Sequence, residues 1–299
     1  MQYGVLICLS CHDYRRKDLV LGAILFLLIP CHLFGAYIIE QAAAVQAQGA
    51  LGRRKRSDAS DISARDRALA LTKTRSPWPL IGIAHAANIS LCLGVTSSIV
   101  YWHIHHPLIG TACELHAIIV WLKTCSYAFT NRDLRQAMLG PVTTGSLPAL
   151  YATCPYPRNI SLSNLTYFWW APTLVYQPVY PRSDRIRWGF VLKRLGEFGV
   201  LSMFIWIASA QYAAPLLQNS LGKIQTLDII SILERLMKLS TISLVIWLAG
   251  FFALFQSLLN ALAEVTRFGD REFYTDWWNS ASVGTVRTPL PMSPLYLDL

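Results

Sequence analysis

Five apolar stretches dominate the hydropathy pattern of this chain, at residues 19–39, 80–102, 108–129, 198–217 and 239–263. Each is long enough for the roughly 20 residues that a bilayer hydrocarbon core requires of a helix. The third carries Glu114, His116 and Lys123 and is expected to face other helices, because an ionisable side chain turned to lipid is costly. Between the spans the pattern is polar. Residues 42–50 form an Ala/Gln-rich interruption that merges into a basic, Ser/Asp-rich loop at 51–79. A second connection, 140–187, holds Pro141, Pro148, Pro155, Pro157, Pro172, Pro178 and Pro181, so it is not one continuous helix. Its aromatic run Tyr167-Phe168-Trp169-Trp170 is expected at the membrane–water interface. The pattern predicts an all-α, polytopic integral membrane protein with about five transmembrane helices, built as one membrane domain without a solenoid repeat.

Composition supports this and narrows the partners. The 299 residues are 54% hydrophobic and 14% charged, against roughly a quarter charged in ordinary soluble proteins. The net charge of +9 would suit nucleic acid if it formed one basic face. Instead the basic residues concentrate in two inter-span loops, Arg53-Arg54-Lys55-Arg56 onward to Arg75, and Arg182 to Arg194. That is the positive-inside arrangement, and nucleic acid is not an expected partner. Counting crossings from the first basic loop returns residues 267–279 to the same, cytosolic, face; Arg15, Arg16 and Lys17 fall on the other side.

The densest chemistry follows the last span: Phe273-Tyr274-Thr275-Asp276-Trp277-Trp278-Asn279. Rings of this kind also serve as interfacial anchors, but the order FYxDWWN is narrower than an anchor needs. It resembles the signature of the acyl-CoA:diacylglycerol and sterol O-acyltransferase branch of the membrane-bound O-acyltransferases. The resemblance extends upstream through Arg267-Phe268-Gly269-Asp270-Arg271-Glu272, Ala171-Pro172-Thr173-Leu174-Val175-Tyr176 with Tyr180-Pro181-Arg182-Ser183, Lys123-Thr124-Cys125-Ser126-Tyr127 with Asn131, and Gln218-Asn219-Ser220 with Glu234-Arg235-Leu236. These blocks fall in the family's order from about residue 80 to 283, and the diacylglycerol branch is the nearer match.

The resemblance implies a fold, a reaction and a location: a multi-pass protein of the endoplasmic reticulum membrane that transfers a fatty acyl group from acyl-CoA to the hydroxyl of diacylglycerol, giving triacylglycerol. Sterol as acceptor, and a non-catalytic membrane partner of an intact copy, are the alternatives. Acyl-CoA is co-substrate, with neither cofactor nor metal, and a homo-oligomer is expected. Within this frame Arg271, Arg182 and Arg185 would meet the CoA phosphates. Phe273, Tyr274, Asp276, Trp277, Trp278 and Asn279 would shape a substrate entrance. Gln256, Asn260 and Glu264, spaced four and four, would share one helix face. That face is either a polar wall of the acyl-transfer chamber or a strip of interhelical hydrogen bonds.

The general base of the family is a histidine, and none of the seven here, all before residue 117, matches its position. The matching sequence stops near Val283, and residues 284–299 are a Pro-rich tail. The expectation is a partial membrane-bound O-acyltransferase domain, 1–283, truncated at both ends, chiefly the C-terminal one, and inactive alone. Other features carry less. Cys8-Leu9-Ser10-Cys11-His12 has haem-attachment spacing without a haem domain. His103, His105 and His106 sit in a short loop that more simply displays wet imidazoles. The seven cysteines are expected as free thiols. His116, Lys123 and Tyr127 align on one helix face, and Lys193 with Glu197 has ion-pair spacing.

Overall fold

The computed structural model describes residues 16–59, 78–139, 151, 153–217 and 229–271. These are helical except for turns, short 3₁₀ segments, irregular stretches and one isolated bridge. Five helical segments are long and apolar enough to cross a membrane: Arg16–Gly52, Trp78–His103, Pro107–Leu139, Trp188–Leu217 and Ile232–Val265. The five apolar stretches of the sequence lie within them. The chain is a multi-pass membrane protein, and its described residues divide into two compact units, one up to Val179 and one from Tyr180 onward.

The first unit contains α1 (Arg16–Leu28), α2 (Cys31–Ala59), α3 (Trp78–His103), α4 (Pro107–Leu139) and α5 (Leu162–Trp170). The first apolar stretch is not one helix: Pro30 lacks the N–H needed to continue it, and the bonds His32 N to Ile29 O (3.2 Å) and Leu33 N to Pro30 O (3.0 Å) make a tight turn between α1 and α2. The expected interruption at 42–50 and the start of the loop at 51 are both corrected, since α2 runs through them to Ala59. Alanine is the best helix former, and Ala43, Ala44 and Ala47 are buried, the last two in a cluster with Leu134, Tyr156 and Ile160. Pro107 opens α4, where a missing N–H costs nothing. The His105 and His106 N–H groups ahead of α4 donate to the buried Asp18 carboxylate of α1, at 3.0 and 3.1 Å. That loop is therefore fastened by Asp18.

The connection after α4 is also more ordered than an interfacial loop. Ser161 caps α5 by accepting from Asn164 N at 3.3 Å, and Pro172 follows the end of the helix. The Tyr167–Trp170 run does not present one wet face: Phe168 is fully buried and Trp170 exposed.

In the second unit α6 (Trp188–Ala208) continues through a π-helical turn, Ser209–Ala213, and α7 (Ile229–Phe251) passes through a longer one, Phe252–Leu258, into α8 (Leu259–Val265). The expected Lys193–Glu197 pair is replaced by Arg194–Glu197, at 2.7 Å and i,i+3 spacing. The Glu197 carboxylate also accepts from Ser257 Oγ at 3.5 Å.

Candidate functional site

The last described turn of the second unit is organised around one carboxylate. Glu264, on α8, is 1% exposed. Its Oε1 accepts from Arg187 N at 2.8 Å and Arg187 Nε at 3.1 Å, and its Oε2 from Arg187 Nη2 at 3.0 Å. Arg271 Nη1 donates to the same Oε2. The remaining Arg271 donors meet backbone carbonyls, Nε to Phe268 O at 2.7 Å and Nη2 to Ala263 O at 3.2 Å. A buried carboxylate with two guanidiniums is well compensated, because each charge-assisted bond replaces water it has lost.

Backbone pairing holds the neighbouring strands of chain together. Arg182 and Phe268 form the isolated antiparallel bridge. Ser183 N donates to Arg267 O at 3.0 Å and Gly269 N to Pro181 O at 2.9 Å. Arg267 lies in the left-handed region at φ 56° and its Nε donates to Ser183 O at 2.7 Å. A Cβ on Gly269 would stand 2.9 Å from Pro181 O and 3.0 Å from its carbonyl carbon, so only glycine fits that approach. Tyr180 and Phe268 pack above it with centroids 5.8 Å apart.

The residues singled out by the sequence are thus sorted. Glu264 and Arg271 come together and hold each other. Arg182 is exposed beside them on the bridge. Asn260 is buried and its Nδ2 donates to Gln256 O at 2.9 Å, within its own helix. Gln256 is only half-buried, because it sits in the π-helical turn, where one extra residue per turn rotates it away from the four-and-four face. Ser257 takes the buried position instead. Phe273, Tyr274, Asp276, Trp277, Trp278 and Asn279 lie outside the described residues. Arg187 was not singled out, and Gly269 entered only as part of the block 267–272; the contacts both make are long-range, to Glu264 and Pro181.

The first unit buries a second polar cluster. Glu40, fully buried on α2, accepts from Arg135 Nη1 of α4 at 2.6 Å, and its other oxygen lies 3.0 Å from His85 Nε2 of α3. Further along α4, Lys123 and Tyr127 are buried as their spacing suggests, whereas His116 is only half-buried and its ring lies tilted against Phe26, with centroids 4.1 Å apart. Among the described residues no three His, Cys, Asp or Glu side chains are grouped to hold a metal ion.

No protein-family model matches the chain. It is 34% identical over 281 residues to diacylglycerol O-acyltransferase 1 of Dictyostelium discoideum, covering 94% of this chain and 41% of that protein. It is 38% identical over 205 residues to diacylglycerol O-acyltransferase 1 of Homo sapiens, covering 67% of this chain and 42% of that protein. With diacylglycerol O-acyltransferase 1A of Glycine max the identity is 38% over 207 residues, covering 69% and 41%. The chain spans about two fifths of the length of these relatives.

Proposed function

Since the chain belongs by descent to the diacylglycerol O-acyltransferase branch of the membrane-bound O-acyltransferases, we propose that it serves acyl-CoA-dependent esterification of diacylglycerol to triacylglycerol in the endoplasmic reticulum membrane. The observation that carries the reading is 34% identity across 94% of the chain. In that reaction the acceptor hydroxyl gives its proton to a base as its oxygen bonds the thioester carbon. The C–S bond breaks and CoA leaves as a thiol once protonated. No metal is needed for this balance.

The described residues contribute positioning. The Glu264 clamp fixes the backbone that leads into FYTDWWN, and Arg182 and Arg185 stand exposed on the adjoining segment, where a CoA phosphate can reach them. A homo-oligomer belongs to the same proposal.

Membranes holding the chain would be treated with a photoreactive acyl-CoA, then supplied with labelled oleoyl-CoA and diacylglycerol. Labelling of the chain that excess oleoyl-CoA displaces is expected. Absence of such labelling would overturn the substrate reading. Steryl ester formed in preference to triacylglycerol would shift the acceptor to sterol.

A further inference from the structure

One face of α4 carries Lys123, Ser126, Thr130 and Asn131, an unusual polar stripe for a membrane span, and its partners lie on residues 159–176. Lys123 Nζ donates to Phe168 O at 2.7 Å and to Ala171 O at 2.9 Å, with Nζ also 4.7 Å from the Phe168 ring centroid. Ser126 Oγ accepts from Tyr176 N at 2.8 Å, and Thr130 Oγ1 donates to Tyr176 O at 3.4 Å. Asn131 Oδ1 accepts from Asn159 Nδ2 at 2.7 Å. The segment satisfies more of its backbone internally. Ala171 N donates to Tyr167 O and Thr173 N to Ala171 O, both at 2.8 Å. Thr173 Oγ1 accepts from Val175 N at 3.1 Å and donates to Val175 O at 3.4 Å. Asn164 Nδ2 reaches across to Pro178 O at 2.7 Å and ties the two limbs together.

Non-helical backbone survives at membrane depth only when protein groups replace the water it would otherwise use. The depth can be read from α4. Arg132 lies over the Trp78 and Phe129 rings, at 5.2 and 5.1 Å, an arginine and aromatic grouping suited to the headgroup level. Lys123 is roughly 13 Å deeper along the helix axis, by the rise per residue. The Phe168 and Ala171 carbonyls that it holds are at that level. The exposed residues of the segment are uncharged: Trp170 at 55%, Leu174 at 45% and Val175 at 58% are large and apolar, and Ser163 and Thr166 are small hydroxyl residues.

We propose that residues 162–178 form a re-entrant hairpin, solvated from behind by the α4 stripe and pressing Trp170, Leu174 and Val175 into the acyl chains of the bilayer. The occupant of this face is lipid hydrocarbon: the backbone groups of Phe168, Ala171, Val175 and Tyr176 that flank it are bonded to protein, and the outward residues carry no charge. The inference stands on the first unit alone and does not depend on the reaction proposed above.

Spin labels on cysteines introduced at Leu174, Leu91 and Arg158, in the full chain otherwise free of cysteine and reconstituted in phosphatidylcholine vesicles, test it. Collisions with oxygen should exceed those with a water-soluble nickel chelate at 174, as at the span-facing position 91, with the reverse at 158. Nickel access at 174 equal to that at 158 would overturn the proposal, and so would shielding from both reagents, which would mean that protein covers the face. Adding Lys123→Met should raise nickel access at 174 several-fold and leave 91 unchanged. An unmoved 174 would show that the stripe does not hold the hairpin. Should Lys123→Met disturb position 91 too, the depth reading on the chain with Lys123 intact still decides.

Discussion

Arg271 closes over the Glu264 carboxylate from the chain that has just left α8, so the polypeptide turns back on its own last helical turn before reaching Phe273. The same carboxylate takes three donors of Arg187, which makes it the meeting point of the start of α6 and the end of α8. Replacing Glu264 by glutamine keeps the volume and removes the charge. Arg187, 57% exposed, can turn to solvent, but Arg271, 19% exposed, loses most of its compensation. Denaturant titration of the detergent-solubilised chain should show Glu264→Gln destabilised by on the order of 3 kcal/mol. A variant as stable as the parent would refute the clamp.

Gly269→Ala tests the backbone half of the same arrangement. The added methyl meets backbone atoms of Pro181 and Arg182, which cannot swing aside as a flexible side chain could. The expected cost is about 1–3 kcal/mol, the usual range for overpacking. Protease cleavage after Arg182 or Arg267 should become faster if the bridge opens, and unchanged cleavage would count against it.

Much of this molecule is written in its hydropathy. Long apolar runs place the spans because a membrane helix buries its backbone bonds within itself, and that needs no knowledge of neighbours. The errors fall where a local rule met a tertiary one. The Ala-rich stretch at 42–50 reads as low complexity, yet its small side chains are what let α2 lie against α4. Gln256 reads as part of a polar face until the π-helical turn shifts its phase. Lys193 and Arg194 compete for Glu197, and spacing alone cannot choose between them. Glu40, His85 and Arg135 lie on three separate stretches in or beside apolar runs; only the fold shows that they are one cluster.

That cluster supports a double-mutant cycle. Glu40→Gln leaves Arg135 buried without its counter-charge, and Arg135→Met leaves Glu40 buried with His85 alone. Each single change should cost about 3–5 kcal/mol, since an uncompensated buried charge is the expensive state. The double variant should cost markedly less than the sum, with a coupling energy of at least about 1 kcal/mol. Additive losses would mean that the two side chains act independently.

Arg182 and Arg271 look interchangeable in sequence as anchors for a CoA phosphate, and the structure separates them. The Arg271 donors are directed to Glu264, Ala263 and Phe268. Arg182 is exposed on the bridge to Phe268. If acyl-CoA is the ligand, Arg182→Ala should weaken its binding about tenfold, the scale of one charge-assisted contact to phosphate, and the loss should shrink as salt rises. Arg271→Ala should lower the melting temperature, and acyl-CoA binding, measured below that transition, should change less than it does for Arg182→Ala. Binding that is indifferent to Arg182 but abolished in a fully folded Arg271→Ala chain would reverse the two roles and return Arg271 to the phosphates.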